Sequence, residues 1–123
     1  MSNEPVLIVE DEHLLAELIA GKLEANGIPF QETDNYPEAL SRLSNQKYGL
    51  MIVDMHINKG NGEDLIRRIR TDPKHINHRL PIIVTSGHLD GKLTPRLVGM
   101  VQGAFVKPYE LSKLVEVVQK HRK

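Results

Sequence analysis

Short, wholly apolar segments that each end in a charged residue do most to constrain the fold of this chain. Residues 6–9 (VLIV) run into Glu10 and Asp11, and residues 50–53 (LMIV) run into Asp54. Continuous apolar runs rich in Val and Ile are typical of parallel strands that are buried on both faces. Because the carboxyl ends of such strands open into one crevice, we expect the three carboxylates to lie close together. Carboxylates that close repel one another, and the pattern therefore predicts a bound divalent cation.

A third apolar run ends in a lysine that is followed by a proline. Phe105 and Val106 precede Lys107 and Pro108, which places the ammonium group at the same edge of the predicted sheet. An ammonium group there can pair with Asp54 and can also stabilise the charge of a transferred group. The sequence therefore predicts one site that contains three carboxylates and one ammonium group.

Strand and helix signals alternate along the chain, which is the pattern of a parallel sheet with helices on both faces. The predicted strands are residues 5–9, 28–33, 49–53, 81–85 and 104–106. Helical periodicity covers the segment from Leu15 to Leu23, a segment that starts near Pro37 after Asn35 or Tyr36, and residues 62–71 and 110–120. A further helix after residue 87 is poorly specified, because Gly91, Pro95 and Gly99 weaken it. The predicted fold class is α/β: a (βα)5 flavodoxin-like, doubly wound, five-stranded parallel sheet.

Composition excludes several other classes of protein. We expect the 123 residues to form one domain, 1–123, and its 16 basic and 16 acidic residues give no global charge for binding nucleic acid or an anionic membrane. The chain contains no cysteine, and it has no apolar segment near the roughly 18 residues of a membrane span. A cytoplasmic protein that binds neither nucleic acid nor a membrane is therefore expected. His75 and His78 have the spacing of a metal motif, but they lie in a predicted polar loop without further ligands nearby, which disfavours a metal role.

Five sequence segments occur in the order in which one signalling family carries them. They are VLIVEDE at 6–12, LMIVD at 50–54, NG at 61–62, PIIVTSG at 81–87 and VKP at 106–108. On these segments the chain resembles the receiver domain of two-component response regulators over nearly its whole length. Five ordered segments at spacings that suit a small α/β domain are far more specific than one acidic pair or one Lys-Pro pair.

The resemblance implies a role for each residue of the predicted site. It makes Asp54 the phosphoacceptor, assisted by Lys107 and Ser86; Thr85 is the rival hydroxyl, but strand alternation separates the two and alignment favours Ser86. It implies that Mg²⁺ (or Mn²⁺) is the cofactor and that the Lys107-Pro108 bond is cis. The implied metal ligands are Glu10, Asp11, Asp54 and the backbone carbonyl of His56.

The resemblance also implies the partners. The phosphoryl group would come from a sensor histidine kinase or a histidine phosphotransfer protein, whose specificity in this family usually rests on helix-one residues such as His13, Leu14 and Glu17 and on the loop after Lys107. The signal would pass to an unknown downstream protein target or output domain, by phosphorylation-dependent contacts or by phosphorelay. Such a domain promotes its own phosphorylation and dephosphorylation and is not a turnover enzyme. The sequence leaves open whether the chain acts alone or is the N-terminal part of a longer protein.

The chain departs from the family pattern at several positions. Glu10 stands where Asp is usual, and the usual switch aromatic aligns with Ala104. Either Phe105, one place later, takes the aromatic role through a local shift, or the coupling between hydroxyl and aromatic is absent. We also hypothesise that His56 and His88 make phosphoryl lifetime depend on pH, with exposed, inert histidines as the alternative.

Two other functions are compatible with the residues. A phosphorylation-independent interaction domain would keep the fold, and the missing aromatic at Ala104 favours it, whereas the intact acidic cluster, Ser86 and Lys107 oppose it. A small aspartate-nucleophile phosphatase would also place Asp54 after a central strand. Enzymes of that kind normally carry a second acidic residue two positions beyond the nucleophile, as general acid. This chain has His56 at that position.

Overall fold

The computed structural model describes residues 4–87 and 97–123. The strands in these ranges are β1 (Val6–Val9), β2 (Phe30–Thr33), β3 (Leu50–Asp54), β4 (His56–Ile57), β5 (Gly60–Asn61), β6 (Ile82–Ser86) and β7 (Gly103–Val106). The helices are α1 (His13–Ala25), α2 (Tyr36–Asn45), α3 (Gly62–Arg70) and α4 (Leu111–His121). The predicted weak helix falls largely on residues 88–96, outside the described residues, as does His88.

Five strands form one parallel sheet in the order β2-β1-β3-β6-β7, which confirms the predicted doubly wound architecture. Every residue of β1, β3 and β6 is buried, because helices cover both faces of the sheet. Alternate residues of these three strands enter two separate hydrophobic clusters, one with α2 and α3 and the other with α1 and α4. The carboxyl ends of β1 and β3 therefore lie side by side at one edge.

Asparagine side chains fix where two helices begin. Asn35 Oδ1 accepts a hydrogen bond from Glu38 N at 2.9 Å, and Asn61 Oδ1 accepts one from Asp64 N at 2.8 Å. Each side chain satisfies a backbone donor that the first turn of its helix cannot pair. Observed element boundaries differ from the predicted ones by one or two residues, as at β2, which begins at Phe30 rather than at residue 28.

A short antiparallel hairpin, β4 and β5, follows β3 and was not predicted. Lys59 in its turn has a φ of 64°. The hairpin brings Gly62 against the end of β3, where a Cβ on Gly62 would lie 2.5 Å from the carbonyl oxygen of Asp54. Glycine is therefore required at position 62, and the start of α3 packs against the carboxyl end of β3.

None of the helices in the described ranges combines the length and the apolar character that crossing a membrane requires.

Candidate functional site

The three predicted carboxylates converge at the edge where β1 and β3 end. Glu10 and Asp11 follow β1, and Asp54 is the last residue of β3. One carboxylate oxygen from each lies within 4.8 Å of the others. Glu10 and Asp54 are only 3% and 4% exposed, so their mutual repulsion is poorly screened by water.

Lys107 joins this cluster from the loop after β7. Its Nζ lies 2.7 Å from Asp54 Oδ2, 3.1 Å from Glu10 Oε1 and 3.2 Å from Glu12 Oε2. The contacts to Asp54 and Glu10 agree with the predicted site. The contact to Glu12 was not predicted from the sequence, which gave this residue no role beyond its place in the segment VLIVEDE. The run of three acidic residues after β1 was the available signal.

Electrostatics of the cluster follow from burial and crowding. The pKa of Glu10 is raised to about 7, chiefly by burial and in addition by the negative charge of Asp54, although hydrogen bonds from Glu12 N and Lys107 partly offset the rise. Burial alone would lower the pKa of Lys107, but its hydrogen bonds to Asp54 and Glu10 outweigh this and hold the pKa above its usual range. The pKa of Tyr109 rises to about 12 through burial and the negative charge of Glu10. The site therefore carries an excess of negative charge that favours a bound cation.

Both oxygens of Asp54 have defined partners. Oδ1 accepts a hydrogen bond from His56 N at 3.0 Å, while Oδ2 accepts one from Lys107 Nζ. These two bonds fix the plane of the carboxylate at the mouth of the crevice. The predicted role of the His56 carbonyl as a metal ligand stays a prediction.

The hydroxyls of Thr85 and Ser86 lie on opposite faces of the sheet, because successive strand residues alternate. Ser86 is on the face of Val84, and Thr85 on the face of Ile83, which packs in the cluster with α1 and α4. The carbonyl of Ser86 accepts a 2.7 Å hydrogen bond from Lys107 N, which ties the end of β6 to the loop that holds the ammonium group. Among the described residues, a Cβ on neighbouring Gly87 would meet only Lys107 Cδ, at 4.0 Å.

Phe105 faces away from Ser86. It packs against the cluster formed with α1 and α4, and its ring lies 5.4 Å from that of Tyr109. Ala104 is exposed and pairs in register with Val84, on the Ser86 face. This placement favours the second of the two alternatives, in which no aromatic of β7 is coupled to the hydroxyl. The Lys107-Pro108 bond is cis, as predicted.

Comparison with known proteins identifies the family. Residues 6–119 match the response regulator receiver domain. The chain belongs to this family. Receiver domains of this family act in two-component signal transduction, and the phosphorylation-based interpretation of the sequence is thereby favoured over the alternatives. The receiver is 31% identical over 119 residues to response regulator protein FleR of Pseudomonas aeruginosa. This alignment covers 94% of the receiver and 24% of FleR.

Two further relatives match over nearly their whole length. Sporulation initiation phosphotransferase F of Bacillus subtilis is 25% identical, with 98% of the receiver and 95% of that protein covered. The crystal structure of response regulator protein TrrA from Thermotoga maritima, in complex with Mg²⁺-BeF, superposes with a TM-score of 0.82 at 24% identity. That match covers 95% of the receiver and 97% of TrrA, and it confirms the fold.

Proposed function

We propose that this receiver accepts a phosphoryl group on Asp54 from a phosphohistidine of a sensor histidine kinase or a histidine phosphotransfer protein. The observation that carries the proposal is the 2.7 Å contact between Lys107 Nζ and Asp54 Oδ2 inside a cluster of buried carboxylates. A carboxylate is an established covalent nucleophile toward phosphorus. Phosphoryl transfer needs positioning and charge neutralisation, and both are built into this site.

The acidic cluster fits a small divalent cation. Glu10, Asp11 and Asp54 offer hard oxygen ligands from a compact space, which is the donor set that Mg²⁺ or Mn²⁺ prefers. We assign these three residues as the protein ligands, with the His56 carbonyl as a fourth. When bound, the ion neutralises negative charge on the phosphoryl oxygens. TrrA, which shares this fold, was crystallised in complex with Mg²⁺-BeF, and this supports a divalent cation at the site.

The protein residues account for the transfer itself. A carboxylate oxygen of Asp54 forms a bond to phosphorus while the phosphorus–nitrogen bond of the phosphohistidine breaks, and the leaving imidazole nitrogen takes up a proton. Lys107 then exchanges its contact with Asp54 for one with a phosphoryl oxygen, so its positive charge is retained where negative charge arrives. The Ser86 hydroxyl donates to another phosphoryl oxygen and so reports the modification to the segment that follows β6.

An exposed apolar surface beside the site suits the donor protein. Leu14 and Leu18 on α1 are 71% and 50% exposed. They line a cavity of about 400 Å³ together with Lys107, Pro108 and Tyr109. Apolar surface of this kind next to a reactive site marks a protein interface. We assign it to the phosphohistidine donor, which would bring its imidazole to the crevice.

Intact-protein mass spectrometry tests the proposal. After incubation with a small acyl phosphate, wild-type protein gains one phosphoryl group only when Mg²⁺ is present. Asp54→Asn gains none, whereas Asp72→Asn, a matched change of an exposed aspartate, behaves as the wild type does. Failure of folded wild-type protein to gain mass would favour the phosphorylation-independent interaction domain. Continuous release of phosphate beyond one equivalent would favour the phosphatase.

A further inference from the structure

A second concave site lies at the edge of the sheet opposite Asp54, where β3 and β6 begin. Its volume is about 290 Å³. The walls come from three separate parts of the chain: residues 47–48 before β3, most of the segment 73–80 between α3 and β6, and Lys123 after α4. Because the parallel strands run from this edge toward Asp54, the cavity is separate from the phosphorylation site.

Basic side chains dominate the lining of this cavity. Lys47, Arg79 and Lys123 contribute three cationic groups, and His75 and His78 contribute two imidazoles. No aspartate or glutamate is among the described residues that line it. Lys123 Nζ donates to the carbonyl oxygen of Arg79 at 3.2 Å, which holds one ammonium group at the rim. The charged side chains among the described lining residues are therefore all basic, although the chain as a whole is neutral.

His75, one of the residues that line this cavity, has a ring nitrogen without a hydrogen-bond partner among the described residues. Its Nδ1 accepts a hydrogen bond from Asn77 N at 3.0 Å, so in the neutral ring the proton resides on Nε2. Nε2 is buried and has no acceptor among the residues that the structure describes. A buried donor without a partner costs free energy, and a ligand oxygen would recover it.

Hydrogen bonds of the Asn77 and Arg70 side chains hold the segment of the cavity wall that contains His75. Asn77 is only 2% exposed, and its side-chain amide donates to Leu43 O at 2.6 Å and Gln46 O at 2.8 Å. Its Oδ1 accepts a hydrogen bond from Tyr48 N at 3.0 Å. The Arg70 guanidinium also donates to the carbonyl of His78 at 2.8 Å. These bonds fix the backbone of segment 73–80 against the residues that precede β3, so a ligand needs only side-chain movement to reach the cations and the imidazole donor.

We propose that this cavity binds a small oxyanion that carries a carboxylate or a phosphate group. An oxyanion supplies acceptor oxygens for His75 Nε2 and negative charge for Lys47 and Arg79. A metal cation would be repelled by the same groups, and an apolar ligand would leave the imidazole donor unpaired. The proposal does not depend on phosphorylation of Asp54.

Residue-resolved NMR titration tests the proposal on the full chain labelled with ¹⁵N. Inorganic phosphate and malonate are the probes, with sodium chloride at equal ionic strength as the control. We expect saturable shifts of the backbone amides of residues 75–79 and of the His75 Nε2 resonance with at least one probe. The stronger probe identifies the source of the oxyanion, and either preference supports the site.

Matched variants make the test decisive. Lys47→Ala and Arg79→Ala should each weaken binding roughly threefold to tenfold, while Lys22→Ala, which removes an exposed lysine of α1, should leave it unchanged. His75→Leu should abolish saturation, and if that variant does not fold the two surface variants decide. Shifts that grow linearly, match those in chloride or occur only around Lys107 would mean general ion association and overturn the proposal.

Discussion

Glu10 is the residue at which the demands of fold and site conflict most directly. The fold buries its carboxyl group at the end of β1, beside a second buried carboxylate on Asp54. Burial raises the pKa of Glu10 to about 7 from the ordinary value of 4.5. A single ammonium group, on Lys107, faces both carboxylates as well as Glu12. The folded protein is therefore more stable with Glu10 protonated than with Glu10 charged.

This conflict predicts a dependence of stability on pH. Since the folded-state pKa of Glu10 lies above the unfolded value, its contribution is complete below about pH 4.5 and is lost as pH rises through about 7. Over that window, the free energy of unfolding of the wild type should fall by roughly 1–3 kcal/mol relative to Glu10→Gln. Urea unfolding in chelator at several pH values measures the difference. Glu17→Gln, a change of an exposed glutamate on α1, should reproduce the wild-type curve.

Gly62 offers a second test at the scale of one residue. Gly62→Ala should lower the free energy of unfolding by about 2 kcal/mol or more, because the added Cβ would collide with the backbone of Asp54. Gly21→Ala is the matched control, since a Cβ on Gly21 of α1 meets nothing within 4 Å among the described residues. That change should instead raise stability by roughly 0.5–1 kcal/mol. Equal effects of the two substitutions in urea unfolding would contradict this account of the β3–α3 junction.

The two faces of the edge strand β7 have different surroundings. Phe105 fills space between the sheet, α1 and α4, whereas Ala104 on the other side is exposed. Phe105→Ala should therefore destabilise the protein by roughly 2–3 kcal/mol without preventing phosphorylation by an acyl phosphate. Ala104→Tyr should change stability by less than about 1 kcal/mol. Loss of phosphorylation in folded Phe105→Ala would contradict a purely structural role for Phe105.

The elements show which features the sequence could predict. Apolar runs locate β1, β3 and β6 because burial on both faces demands continuous hydrophobicity, and the parallel topology then brings Asp54 and Lys107 together. The hairpin of β4 and β5 escaped prediction because two-residue strands have no periodicity. The contact of Glu12 with Lys107 also escaped, since it depends on the reach of side chains rather than on where strands end. Residue His75 was assigned correctly to a loop, but its buried Nε2 depends on tertiary packing.

At the scale of the whole molecule, the two ends of the parallel strands carry side chains of opposite charge. The carboxyl ends of the strands hold the acidic cluster around Asp54, and the opposite edge holds the basic cavity beside His75. The balanced net charge of the chain hides this division. A cation should therefore stabilise one end of the folded molecule, and an oxyanion should stabilise the other.

Cation binding at the acidic end should be coupled to protonation. At the proposed site Mg²⁺ would bind the deprotonated form of Glu10, whose pKa of about 7 makes the proton a competitor in the physiological range. A Mg²⁺ concentration that raises the free energy of unfolding by about 1.4 kcal/mol at pH 8 should raise it by only about 0.4 kcal/mol at pH 6, because affinity drops roughly tenfold. Asp11→Asn should remove most of the gain at pH 8, and Asp72→Asn should retain it. Equal stabilisation of the wild type at both pH values would show that Glu10 is not a ligand, whereas no stabilisation at either would exclude the cluster as a metal site.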